Sequence, residues 1–210
     1  MNMREKFIEI YKKHILRFGA EELLEFLINS DFFTAPASSK YHLAIPGGLC
    51  QHSVNVYEQL RDQFLHYIEK GYGFTTLTLE QEQTIAICGL LHDICKVNYY
   101  TPVKKSRKTG KMLPNGKPEW EDYMGYDVED KLPYGHGEKS VYIISGFMKL
   151  TREEAMAIRW HMGFSDNDFK VGGKNVGNAF AAYPLAVLTH VADLMATYMD
   201  EGEDGVKQQV

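Results

Sequence analysis

The sequence predicts an all-α helical bundle interrupted by one small inserted β element, a hairpin or an irregular flap. Three observations carry that expectation. Apolar residues recur at helical spacing through most of the chain, as at Phe7, Ile8, Tyr11, Ile15 and Phe18. Helix-start signals precede two apolar runs, with Thr78 three residues before Gln81 and Thr151 three before Glu154. One segment, 98–133, breaks the pattern. It holds four of the seven prolines, an Asn115-Gly116 turn pair and clustered aromatics, which read as one or two strands.

The elements follow in order. A first helix runs from the N-terminus to Phe18, and a second, EELLEFLINS, follows the break at Gly19. Residues 30–46 read as a loop. A third helix, Leu49 to Tyr67, aligns Val54, Tyr57, Leu60, Phe64 and Ile68, and Gly71 and Gly73 end it. The fourth begins at Thr78. Its stretch from Ile85 to Leu91 is apolar all round, so it belongs at the centre. Beyond the insert come EKSVYIISGFM and REEAMAIRWHM, then a loop marked by Gly172, Gly173 and Gly177. A last helix, PLAVLTHVADLMATYM, has Pro184 in its first turn. The tail EGEDGVKQQV is expected to fray.

Composition bounds the function. The 210 residues, 44% hydrophobic and 24% charged, suit one domain spanning 1–210 with the insert inside it. A net charge of −5 argues against nonspecific nucleic-acid binding over the whole surface. The charged, amphipathic start is unlike a signal peptide, and no apolar run approaches the ~18 residues of a membrane span. Cys50, Cys88 and Cys95 form no CxxC pair. They read as reduced thiols of a cytoplasmic protein and argue against finger-type zinc.

The chemistry-bearing residues stand where they are costly. In GLLHDICK, His92 and Asp93 end an apolar stretch, and both side chains are expensive to bury without partners. His52 lies in the first turn of the third helix, His136 just before a helix, His161 at a helix end, and Asp193 on an otherwise apolar helix. Four histidines and two aspartates over five segments are the donor types of zinc, manganese and iron sites. Taken singly, each has an ordinary alternative. A helix-start histidine is usually structural, and Lys96 suits a helix C-terminus through the dipole. His14 and His66 read as solvated, His42 as a loop residue, and His190 as a packing or supporting residue on the Asp193 face.

The order His52, His92-Asp93, Asp193 resembles the HD-domain superfamily of metal-dependent phosphohydrolases. His136 and His161 match its two-metal subgroup, and HDICK resembles the form in which a lysine, here Lys96, contacts phosphate. YHLAIPGGLCQHSVNV and THVADLMATYMDE are similar to stretches of bacterial 3′–5′ exoribonucleases with an HD domain, and the resemblance covers roughly residues 40–200. The insert and the absence of a preceding oligonucleotide-binding domain depart from those enzymes and speak against a processive nuclease.

The resemblance implies one or two divalent transition-metal ions (Mn, Fe, Zn, Ni or Co, with Mg possible). His52, His92, Asp93 and Asp193 would hold one, Asp93, His136 and His161 the other, with Asp93 as bridge and Lys96 on the phosphoryl charge. The implied substrate is a phosphate ester in a nucleotide or short single-stranded oligonucleotide. Two rivals share the pattern: an HD-fold di-iron oxygenase, and a non-catalytic nucleotide-binding regulatory module. Metal content and oxygen consumption separate the first. Failure to hydrolyse any ester with metal loaded would favour the second.

From Lys96 into the insert, Lys96, Lys104, Lys105, Arg107, Lys108, Lys111 and Lys117 are followed by Glu119, Glu121, Asp122, Asp127, Glu129 and Asp130. Either the two halves neutralise each other, or the basic half forms a lid that approaches an anionic substrate.

Overall fold

A computed structural model describes residues 1–165 and 173–201. The chain is mostly helical, with one two-stranded antiparallel sheet. The helices are α1 (Met3–His14), α2 (Ala20–Asn29), α3 (Gly48–Tyr72), α4 (Leu79–Leu91), α5 (His136–Ser145), α6 (Arg152–Arg159), α7 (Lys174–Ala182) and α8 (Pro184–Met195). A 3-10 turn, Ile94–Lys96, follows α4, and a π-helical turn, Ala196–Asp200, follows α8. The strands are β1 (Tyr100–Met112) and β2 (Pro118–Val128), paired from Tyr100↔Val128 to Lys108↔Trp120.

The expected caps form. Thr78 and Thr151 each accept from the backbone N–H three residues on, and the Gln81 and Glu154 side chains reach back to the cap N–H. Gly73, in the left-handed region at φ 74°, ends α3. Helix α4 is buried from Ile85 through Leu91 and packs on α3, as its all-apolar surface requires. Around it lie Phe7, Tyr11, Leu23, Leu27, Phe32, Leu60 and Ile94, each almost fully buried. Helix α3 also packs on α8, and α6 packs on both α8 and α5.

Two glycines set how closely the site-bearing segments approach. A Cβ on Gly89 of α4 would stand 2.5 Å from the Tyr57 Cα of α3. A Cβ on Gly137 would stand 2.1 Å from the Arg159 carbonyl oxygen at the end of α6. Only glycine permits these backbone contacts. The first draws the start of α3 toward the end of α4, and the second draws the start of α5 toward the end of α6.

Several expectations need correction. Gly177 lies inside α7 and not in a loop, because Val176 and Ala179 bury one face of that helix. Gly172 lies outside the described residues, as does the tail from 202 to 210. His14 is not solvated. Its side chain is 13% exposed, and Nδ1 stands 4.0 Å from Glu82. Lys96 is no simple helix-end lysine either, since its ammonium is held by Asp93. Among the described residues, no single helix is long and apolar enough to cross a membrane.

Candidate metal centre

Helix ends supply almost every side chain of the site. His52 comes from the first turns of α3, His92 caps α4, and Asp93 follows immediately. His136 opens α5, His161 stands just beyond α6, and Asp193 lies on α8. The structure brings all six expected side chains and Lys96 together. His52, His92, Asp93 and His161 are buried, and Asp193 is 16% exposed. Asp193 and Asp93 meet through the histidines between them.

The two oxygens of Asp93 face different partners. Oδ1 lies 2.8 Å from His136 Nε2 and 3.5 Å from His161 Nε2. Oδ2 lies 3.6 Å from His52 Nε2, 3.5 Å from His92 Nε2 and 2.6 Å from Lys96 Nζ. Asp193 Oδ1 adds to the second side, 3.2 Å from His52 Nε2.

The histidine tautomers follow from their outer contacts. His92 Nδ1 lies 2.9 Å from the Gly89 carbonyl and His161 Nδ1 2.6 Å from the Ile158 carbonyl. A carbonyl only accepts, so both Nδ1 atoms carry the proton and both Nε2 lone pairs point inward. His52 Nδ1 lies 3.1 Å from Glu201 Oε1 and donates to that carboxylate. Its Nε2 also points inward, 3.2 Å from His92 Nε2. The centre therefore turns imidazole nitrogens and two carboxylates toward one another, with Lys96 and His136 Nε2 donating to Asp93, and inward-facing acceptors are costly where they outnumber the donors.

A proton meets part of that demand. Burial disfavours the His52 imidazolium, but hydrogen bonds to Asp193 and Glu201 outweigh it and raise the group to about 10. Asp93 and Asp193 are held below the usual carboxylate range, by Lys96 and the histidines for Asp93 and by His52 first for Asp193, against the opposing effect of burial. Lys96 is raised by Asp93 despite its burial. One proton does not satisfy the whole cluster, since His161 Nε2 is buried without a hydrogen-bond partner. Among the described residues, four sets of donor atoms lie within metal-ligand reach of one another: His42, His52 and Glu201; His52, His92 and Asp193; His92, Asp93 and His161; Asp93, Cys95 and His136. The donor set and the orphaned nitrogen fit a bound cation.

Residues outside the expected set support the site. Glu201 is 2% exposed and also accepts from Asn55 Nδ2 at 2.9 Å. The tail was expected to fray from Glu201 onward, so this residue was missed. The π turn that aims it inward, a bulge type common at functional sites, has no sequence signature of its own. Cys95 places its thiol 3.4 Å from His136 Nδ1. His190 donates from Nδ1 to the His161 carbonyl at 2.6 Å, the supporting role expected of it. His42 packs its ring on His52, centroids 4.9 Å apart, and burial pushes it down to about 4.

A cleft of about 590 Å³ opens onto the cluster, lined by His52, Asp93, Lys96, His136 and Asp193 with Tyr41 and Tyr198 among the other walls. That size suits a small-molecule ligand. Among the described residues lining it, none comes from the hairpin beyond Lys96. Three of the hairpin's basic side chains pair across the strands: Lys104 with Asp122 at 2.7 Å, Lys105 with Asp127 at 2.9 Å and Arg107 with Glu121 at 2.7 Å. None of Lys104, Lys105, Arg107 and Lys108 lines the cleft, and the acidic strand lies directly beside them.

No protein-family model, curated protein or solved structure matches the chain.

Proposed function

We propose that the chain is an HD-type, metal-dependent phosphohydrolase acting on phosphate esters of nucleotides or short oligonucleotides. One observation carries the reading. The two oxygens of Asp93 are divided between two histidine pairs, Oδ2 facing His52 and His92 and Oδ1 facing His136 and His161, each ring presenting Nε2. That division is what a carboxylate bridging two cations needs.

His52, His92, Asp193 and Asp93 Oδ2 would hold one cation, and His136, His161 and Asp93 Oδ1 the other. Bound divalent cations neutralise phosphate oxygens and make water a competent nucleophile near neutral pH. The chain supplies the rest. The Gly89, Ile158 and Glu201 acceptors fix three imidazoles in the tautomer that leaves Nε2 free. Lys96 brings an ammonium to the cleft wall, where it would meet charge developing on a phosphoryl group. The same ammonium favours an anionic ester over the oxygenase reading, which needs no fixed cation in the cleft.

The test is a screen of purified, manganese-loaded protein against nucleotides, cyclic nucleotides and short oligonucleotides, with Asp93→Asn as control. Hydrolysis lost in the variant supports the reading. Oxygen uptake with iron loaded, and no ester cleaved, supports the oxygenase. No turnover of any kind with metal bound supports the regulatory module.

A further inference from the structure

We infer that Glu201 is a positioning residue that makes the two cation positions unequal, so that the one at His52 fills first and the one at His136 fills second. This rests on the two-cation reading above.

The argument begins with donor count. The first position offers His52, His92, Asp193 and Asp93 Oδ2; the second offers His136, His161 and Asp93 Oδ1. Counting nitrogen and oxygen donors and leaving aside the Cys95 thiol, four face three, and two carboxylates face one shared carboxylate. The outer contacts widen the gap. His92 and His161 donate to neutral backbone carbonyls. Among the described residues, His136 Nδ1 meets the Cys95 thiol, a weak hydrogen-bonding group, at 3.4 Å. Of these outer Nδ1 contacts among the described residues, that of His52 alone is to a carboxylate, and a carboxylate behind a ligating imidazole raises its basicity and fixes its ring.

Glu201 is built for that position and does little else. It is 2% exposed, and its other hydrogen bond comes from Asn55, one turn along α3 from His52. Beside it, Gln59 Nε2 holds Asp200 at 2.9 Å, so successive turns of α3 grip the same stretch of chain. Buried negative charge without a lysine or arginine in contact is costly. A cation held by His52 Nε2 would offset that cost at the first position and not at the second. One effect opposes the ranking: Lys96 sits on Asp93 Oδ2, the oxygen of the first position. Asp193 compensates, since it belongs to that position alone.

Isothermal titration of metal-free protein with Mn²⁺ tests the ranking without any turnover. Wild type should show a tighter and a weaker event. Glu201→Gln should weaken the tighter one by about 10- to 100-fold and spare the weaker. Asn55→Ala, which only loosens the carboxylate, should move the same event by a smaller factor. His136→Ala should abolish the weaker event and spare the tighter. If only one event is seen, it should respond to Glu201→Gln and not to His136→Ala. The inference is overturned if a folded Glu201→Gln protein binds Mn²⁺ as wild type does, if both events weaken equally, or if His136→Ala removes the tighter event. No Mn²⁺ binding by wild type overturns the two-cation reading itself and this inference with it.

Discussion

The centre and the hairpin hold charge in opposite ways. At the centre, two aspartates, a lysine and four histidines crowd together, and the buried His161 Nε2 has no hydrogen-bond partner among the described residues. In the hairpin, three cross-strand ion pairs lie in the open, each with its partner beside it. Exposed pairs contribute little to stability, because solvent screens them and long side chains must be ordered to form them. Buried, unreconciled charge is costly and persists where something outside the chain completes it. The difference teaches where function is to be sought. Charge density alone does not distinguish the two regions; unmet demand does.

The largest effect is expected at the bridge between the two halves of the centre. Asp93→Asn removes charge from both positions at once. Hydrolysis should fall by about 10³-fold or more, the scale of the several kcal/mol that metal charge stabilisation supplies. Metal content by elemental analysis should fall with it. A variant that keeps both would place the chemistry elsewhere.

Next comes a buried charge that the chain completes by itself. Glu154 has no exposed side-chain surface and takes two bonds from Arg17, at 2.6 and 2.9 Å, and one from Thr84. Glu154→Gln strands the guanidinium and should cost about 3 kcal/mol in urea unfolding. The pH dependence has a definite sign. Burial raises the Glu154 pKa, but Arg17 outweighs it, so the folded value lies below the ordinary 4.5. Its stabilisation is complete above the unfolded value and is lost as pH falls below about 4.5 through the folded value. The variant should therefore show a flatter acid limb than wild type; parallel limbs would mean that Glu154 is not responsible.

Removing metal should cost slightly less. A ligand present at 100 times its dissociation constant stabilises by about 2.7 kcal/mol. Chelation should lower the melting temperature of wild type and leave that of Asp93→Asn unmoved.

How much of this was legible in the sequence follows the same division. His92, Asp93 and Asp193 were visible because charge interrupts apolar helices there, whereas His52, His136 and His161 stood out only through the ordered pattern that resembles HD-type sequences. The helical architecture and the hairpin were visible through periodicity, capping pairs and the Asn115-Gly116 turn. What was hidden depends on contacts between distant segments. Gly89 and Gly137 look like ordinary helix glycines until the backbones they admit are known. Glu201 follows the last apolar turn and reads as tail, because nothing local reports that Asn55 and His52 lie across from it. The hairpin's role turned on register. The sequence holds a basic half and an acidic half, and only the pairing of Arg107 with Glu121 shows that they face each other.

The smallest effect is therefore expected in the hairpin, and it sharpens the comparison most. Replacing Lys104, Lys105, Arg107 and Lys108 with glutamate sets like charges side by side along the ribbon. Two strands without a covering layer are marginal on their own, so the ribbon should loosen locally, seen as faster amide hydrogen exchange confined to 100–128. The cleft borrows nothing from those side chains. KM for a nucleotide substrate and its salt dependence should then stay within about twofold of wild type. Reversing Glu121, Asp122 and Asp127 to lysine in the same protein restores opposite signs and should restore slow exchange. The informative failure is a raised KM with a weakened salt dependence, rescued by neither change. That result would mean the hairpin leaves its own acidic strand to meet the substrate, and the basic half would then belong to the site.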